Sequence, residues 1–112
     1  MVKVLAARGG DGAIRMFEVS GHAGYDAPGR DVVCAAASVT AYNTVGALGE
    51  LAGVTDCYFE KPGYMKIELP GNIEAAKRHT VQTIMDTAYI GFKQIEGSYP
   101  DHLSVDEVFR DI

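Results

Sequence analysis

The segment from Asp31 to Leu51 does most to constrain the fold. It carries Ala35, Ala36, Ala37, Ser38, Ala41, Gly46, Ala47 and Gly49 among Val, Thr and Leu residues. Asp31 stands where a helix N-cap belongs, and Gly53 can end the helix by taking a left-handed conformation. A helix from Asp31 to about Leu51 is therefore predicted. Its small side chains let it approach a sheet or another helix closely, which suits a buried central position.

Around this helix the chain reads mostly as strands. Residues 2–8 and 13–20 are β-rich and joined by Gly9-Gly10-Asp11-Gly12, a connector that supplies the positive φ a hairpin needs. Ile14, Met16 and Glu18 keep only a loose alternation in the second run. Residues 21–30 hold three glycines and a proline and read as a loop. Two more β runs, 54–60 and 64–69, flank the turn Lys61-Pro62-Gly63. Asn72 is placed to cap a second helix running to about Glu96, with Val81, Ile84, Met85, Ala88, Phe92 and Ile95 forming one apolar stripe. Gly97 and Pro100 end it, and Leu103–Val105 read as a short last strand. The order ββαββα(β) predicts an α+β domain with helices against a largely antiparallel sheet. At 112 residues it is one domain, able to bury roughly 65% of its unfolded surface.

Composition then excludes function classes. Fifteen acidic residues against ten basic ones give a net charge of −5, which opposes nucleic-acid binding and suits a basic polypeptide partner. No apolar run approaches the ~18 residues of a membrane span, so no membrane association is expected. Met1 to Leu5 read as a strand rather than a signal peptide. Two cysteines, Cys34 and Cys57, cannot build a disulfide framework, and there is no CxxC pair. No residue cluster has metal-ligand spacing and no glycine pattern matches a nucleotide loop, so neither metal nor cofactor is expected. A reducing, cytoplasmic setting is the simplest expectation.

Chemistry concentrates between Ser20 and Ser38. With Asp31 as cap, Cys34 falls at the third helical position, where free amides and the helix dipole favour a thiolate. The Asp31 carboxylate opposes this, and the alternative is a cysteine packed as a small apolar residue. His22 ends a β run ahead of the loop that returns to the helix start. It is placed to take the Cys34 proton and later protonate a leaving amine, or to be an ordinary surface histidine. Ser38, one turn beyond Cys34, would hydrogen-bond near the thiolate or back-bond to the helix. Asp31 would orient His22 or only cap the helix. Gly21, Gly24 and Gly29 would be hinges of a moving loop with Tyr25, Asp26 and Arg30, or plain turn residues. Cys57 is expected to pack within its strand, and His79 and His102 are weaker candidates.

Gly21-His22-Ala23, a glycine-containing loop, and Gly29-Arg30-Asp31-Val32-Val33-Cys34-Ala35-Ala36-Ala37-Ser38 together resemble the signature of the Prp family, the ribosomal-processing cysteine proteases of bacteria. The resemblance covers nearly the whole chain. It implies His22 as general base, Cys34 as nucleophile, and Asp31 and Ser38 close to the active site. It implies a mobile loop, Ala23 to Arg30, over that site, and a homodimer of α+β fold. It further implies that the substrate is the short N-terminal extension of a large-subunit ribosomal protein, cut after an aromatic residue in an apolar segment. Two rivals lie beside it: a non-catalytic ribosome-assembly or peptide-binding module, and a redox sensor using Cys34 and Cys57.

Overall fold

The computed structural model describes residues 1–21 and 28–110, with the backbone alone for 28–31. Its strands are β1 (Val2–Arg8), β2 (Ile14–Ser20), β3 (Tyr58–Lys61), β4 (Tyr64–Glu68) and β5 (Leu103–Phe109), and its helices α1 (Pro28–Ala52) and α2 (Arg78–Ser98). The strands form one sheet in the order β3-β4-β2-β1-β5. β1–β2, β2–β4 and β3–β4 pair antiparallel, whereas β1–β5 is parallel. The expected α+β fold with a largely antiparallel sheet is thus present, and the last strand is longer than the three residues expected, running seven residues along β1.

The turns follow from their residues. Gly12 (φ 85) sits in the β1–β2 connector, where the Gly9 N–H donates to the Ala13 carbonyl at 2.9 Å. Gly63 (φ 79) follows Pro62 in the two-residue β3–β4 link, the pairing a type II turn requires. Val4 and Ala6 of β1, Phe17 and Val19 of β2, and Met65 and Ile67 of β4 form the sheet's contribution to the core. α1 lays Val33, Ala37, Ala41, Leu48 and Ala52 on it, and α2 adds Val81, Met85, Ala88 and Phe92. Those four lie on the stripe read from the sequence, and the Phe17 and Phe92 rings meet with centroids 5.4 Å apart. The two helices also touch each other: a Cβ on Gly91 would lie 3.4 Å from the Thr40 methyl, so the missing side chain allows the close approach.

Several expectations are corrected. α1 starts at Pro28, not after an Asp31 cap. Proline suits that position because the first helical N–H has no intrahelical acceptor and its φ is preset. α1 is also less buried than its small residues suggest, with Val32, Val39, Tyr42 and Leu51 exposed. Among the described residues, it is the flanks facing the sheet and α2 that are covered. Val32–Ala52 reaches a mean hydropathy of 1.4, long and apolar enough by composition to span a membrane, contrary to the expectation from contiguous runs. Single Ser, Thr and Asn residues break the runs without lowering the average much. The stripe packed on the sheet is that of a core-facing helix. Asn72 does not cap α2; it lies in a turn ahead of a 3₁₀ segment, Ala75–Lys77, and α2 begins at Arg78. Finally, β3 starts at Tyr58 rather than residue 54. Gly53 (φ 67) closes α1 with its N–H on the Gly49 carbonyl at 3.1 Å, and Asp56 (φ 56) turns the chain before the strand.

Candidate active site

The end of β2 is fixed by Gly21. Its N–H donates to the Gly63 carbonyl at 3.1 Å, and its φ is 79°. A Cβ there would stand 2.5 Å from the Met1 carbonyl oxygen. Only glycine therefore lets the end of β2 close against both Met1, just ahead of β1, and the β3–β4 turn. This junction delivers the chain to His22. His22 and Gly24 lie outside the described residues, and for Gly29 and Asp31 only the helical backbone is described.

α1 carries the second half of the site. Because it begins at Pro28, Cys34 is its seventh residue rather than its third. The Cys34 N–H then lies inside the helix's own ladder, one turn past the free amides, and the dipole's effect is concentrated in the first turn. The first-turn argument for a thiolate at Cys34 is corrected accordingly. What α1 does provide is access: Cys34 is a free cysteine, partly exposed, packed against the edge of the core. Cys57 is buried, one residue before β3, and burial pushes its thiol pKa up. Of the two thiols, Cys34 is the one open to solvent.

Ser38 is half-buried one turn beyond Cys34 on the same flank of α1. The back-bonding weighed for it is seen at Thr40 and Thr44, whose hydroxyls donate to the Ala36 and Thr40 carbonyls at 2.8 and 2.7 Å. One further turn along, Tyr42 reaches across to β3, its Oη donating to Glu60 Oε2 at 2.8 Å. Neither Tyr42 nor Glu60 stands out in the sequence. The only signal is the spacing of Cys34, Ser38 and Tyr42 at i, i+4 and i+8, which shares one helix flank. Of the other histidines, His79 is exposed on the first turn of α2, and the His102 carbonyl accepts the Val2 N–H at 2.8 Å. Among the described residues, no three His, Cys, Asp or Glu side chains gather as a metal site.

The family model described as Cysteine protease Prp matches residues 1–104. The chain belongs to the Prp cysteine protease family. The curated Ribosomal processing cysteine protease Prp of Bacillus subtilis (strain 168) is 30% identical over 107 residues, covering 94% of this chain and 96% of that protein. The crystal structure of SMU.848 from Streptococcus mutans superposes with a TM-score of 0.86 at 29% identity, over 98% of this chain and 96% of that one. The S. aureus Prp in complex with a substrate peptide gives a TM-score of 0.84 at 21% identity, over 96% of this chain and 100% of that one, and shares the fold. The resemblance read from the paired His22 and Cys34 motifs is thereby established at the level of the Prp family, and with it the cysteine protease class.

Proposed function

We propose that this Prp-family chain is the endopeptidase that removes a short N-terminal extension from a large-subunit bacterial ribosomal protein, with Cys34 as nucleophile and His22 as general base and acid. The observation that carries the assignment is the contrast between its two thiols: Cys34 is partly exposed on α1, whereas Cys57 is buried with its pKa raised. A thiol protease needs a thiolate that substrate can reach. In this reading His22 takes the Cys34 proton and the thiolate sulfur attacks the scissile carbonyl. Collapse of the tetrahedral intermediate breaks the C–N bond as His22 returns the proton to the leaving amine. Water, deprotonated by His22, then hydrolyses the thioester and restores the thiol. Asp31 and Ser38 support the pair, and the segment with Gly24 that leads into α1 closes over substrate, Gly29 standing in the first turn of that helix. A reducing cytoplasm keeps Cys34 competent. The exposed Val32 and Val39 on α1 support a homodimer.

A synthetic peptide spanning an apolar, aromatic-ended extension and the residues after it tests this assignment. With wild type, Cys34→Ala and His22→Ala run side by side, mass spectrometry should find one cut, slowed by about six orders of magnitude in either variant. Cutting that survives Cys34→Ala removes Cys34 from the mechanism. If wild type binds the peptide without cutting it, the non-catalytic module takes its place. A redox sensor would instead require a reversible Cys34–Cys57 disulfide, which the buried Cys57 disfavours.

A further inference from the structure

β3 lies at one edge of the sheet, and its alternation sorts its side chains onto two faces. Phe59 and Lys61 share one face with Tyr64: the Phe59 and Tyr64 ring centroids are 6.2 Å apart, and the Lys61 ammonium sits 5.4 Å from the Tyr64 centroid. Tyr58 and Glu60 turn the other way, toward α1. There the Tyr58 ring meets Tyr42 edge-on, with centroids 6.1 Å apart, and Glu60 accepts the Tyr42 hydroxyl.

This cluster has a negative charge and, among the described residues, no ion-pair partner. Lys61, the neighbouring base in the sequence, is engaged on the opposite face, and the ion pairs among the described residues are Arg8–Glu107, Lys66–Glu68 and Lys93–Glu96. Glu60 Oε2 accepts the Tyr42 hydroxyl, and a carboxylate has lone pairs for further donors. The Tyr58 hydroxyl is buried beside Glu60 and Tyr42 without a well-aligned hydrogen bond among the described residues. Burial and the Glu60 charge push its pKa up, and the Glu60 hydrogen bond raises that of Tyr42. Both phenols therefore stay neutral near pH 7, and the carboxylate is the one charge they frame.

The cluster also stands at a fixed distance from the proposed nucleophile. Tyr42 lies eight residues beyond Cys34 on the same helix flank, about 12 Å along the axis at 1.5 Å per residue. An extended peptide advances about 3.3 Å per residue and covers that span in about three to four residues. Unpaired N–H and C=O groups on the outer edge of β3 would hold its backbone by strand addition.

We propose that Tyr42, Tyr58 and Glu60 form a subsite for a lysine or arginine side chain of the peptide substrate, about three or four residues from the cleaved bond. The subsite rests on Cys34 as nucleophile for its register. Its chemistry is a charge-assisted hydrogen bond to the Glu60 carboxylate, with the exposed Tyr42 ring beside the cation.

The test measures peptide affinity in the Cys34→Ala chain, where binding requires no chemistry. Peptides carry lysine, alanine or glutamate, one position at a time, three and four residues to either side of the cut. At one of these positions lysine should bind roughly tenfold more tightly than alanine, the scale of one charge-assisted hydrogen bond. Adding Glu60→Gln should bring that ratio to about one, and Glu60→Lys should reverse the preference in favour of glutamate. Equal binding of lysine and alanine at every position overturns the subsite, as does a lysine preference that Glu60→Gln leaves intact. Cleavage by the wild-type chain is followed in parallel. A cut that depends on Cys34 without any lysine preference removes the subsite alone, whereas a cut that survives Cys34→Ala removes the nucleophile.

Discussion

At the scale of single residues, Gly21 sets the geometry on which the site depends. It combines a φ of 79° with a backbone neighbour, the Met1 carbonyl oxygen, 2.5 Å from where a Cβ would stand. Gly21→Ala must therefore both adopt a left-handed conformation and displace β1 from β2. A loss of roughly 2 kcal/mol is expected, the scale of alanine at an incompatible backbone position, read by urea unfolding. Because His22 follows directly, cleavage by the folded fraction should fall as well. Gly12→Ala also places alanine at a positive φ, but its Cβ would meet nothing within 4 Å. It should cost about 1 kcal/mol and leave cleavage by the folded enzyme unchanged, which separates backbone strain from the steric conflict at Gly21.

At the scale of elements, α1 divides its leucines between two environments. Leu48 is fully buried against the sheet, whereas Leu51 is 63% exposed. Leu48→Ala should cost about 2–5 kcal/mol through lost burial and the cavity left behind. Leu51→Ala should stay within about 0.5 kcal/mol, as surface changes do, and equal losses at both sites would refute the packing described for this helix. The two helices show what is legible in the sequence and what is not. The buried stripe of α2 was legible because Val81, Met85, Ala88 and Phe92 repeat at helical spacing between polar residues. The closing role of Gly53 was legible because a left-handed cap favours glycine. α1, by contrast, is apolar on nearly every side, so its composition could not tell the face on the sheet from the face in solvent. Its start was misplaced because Asp31 and Pro28 are both good helix-start residues, and proline at the first position took precedence. His22 and Cys34 stand out in the sequence through their paired motif. Glu60 does not, because its pairing with Tyr42 exists only once β3 has been laid beside α1.

At the scale of the whole molecule, two carboxylates tie β5 to the elements beside it, β1 and α2. Glu107 of β5 accepts from the Arg8 Nε of β1 at 2.6 Å and from the Tyr89 hydroxyl of α2 at 2.9 Å. Glu96 of α2 accepts from the Lys93 ammonium at 2.7 Å and from the Val105 N–H of β5 at 2.8 Å. Both pKa values are lowered, chiefly by the hydrogen bond from Arg8 for Glu107 and from Lys93 for Glu96. A lowered folded-state pKa means that the unfolded chain binds the proton first as acid is added. The stability these groups contribute is therefore present above the ordinary carboxylate range and is lost as pH falls through their lowered values. Since β5 is joined to the sheet only through β1, this loss should fall on the β1–β5–α2 side of the fold. Thermal unfolding followed from about pH 6 down to about pH 3 should show a steeper decline for wild type than for the Glu96→Gln, Glu107→Gln double variant. The double variant should already be less stable at neutral pH, so the two curves should converge in acid. Parallel curves would mean that the acid sensitivity of the fold arises elsewhere.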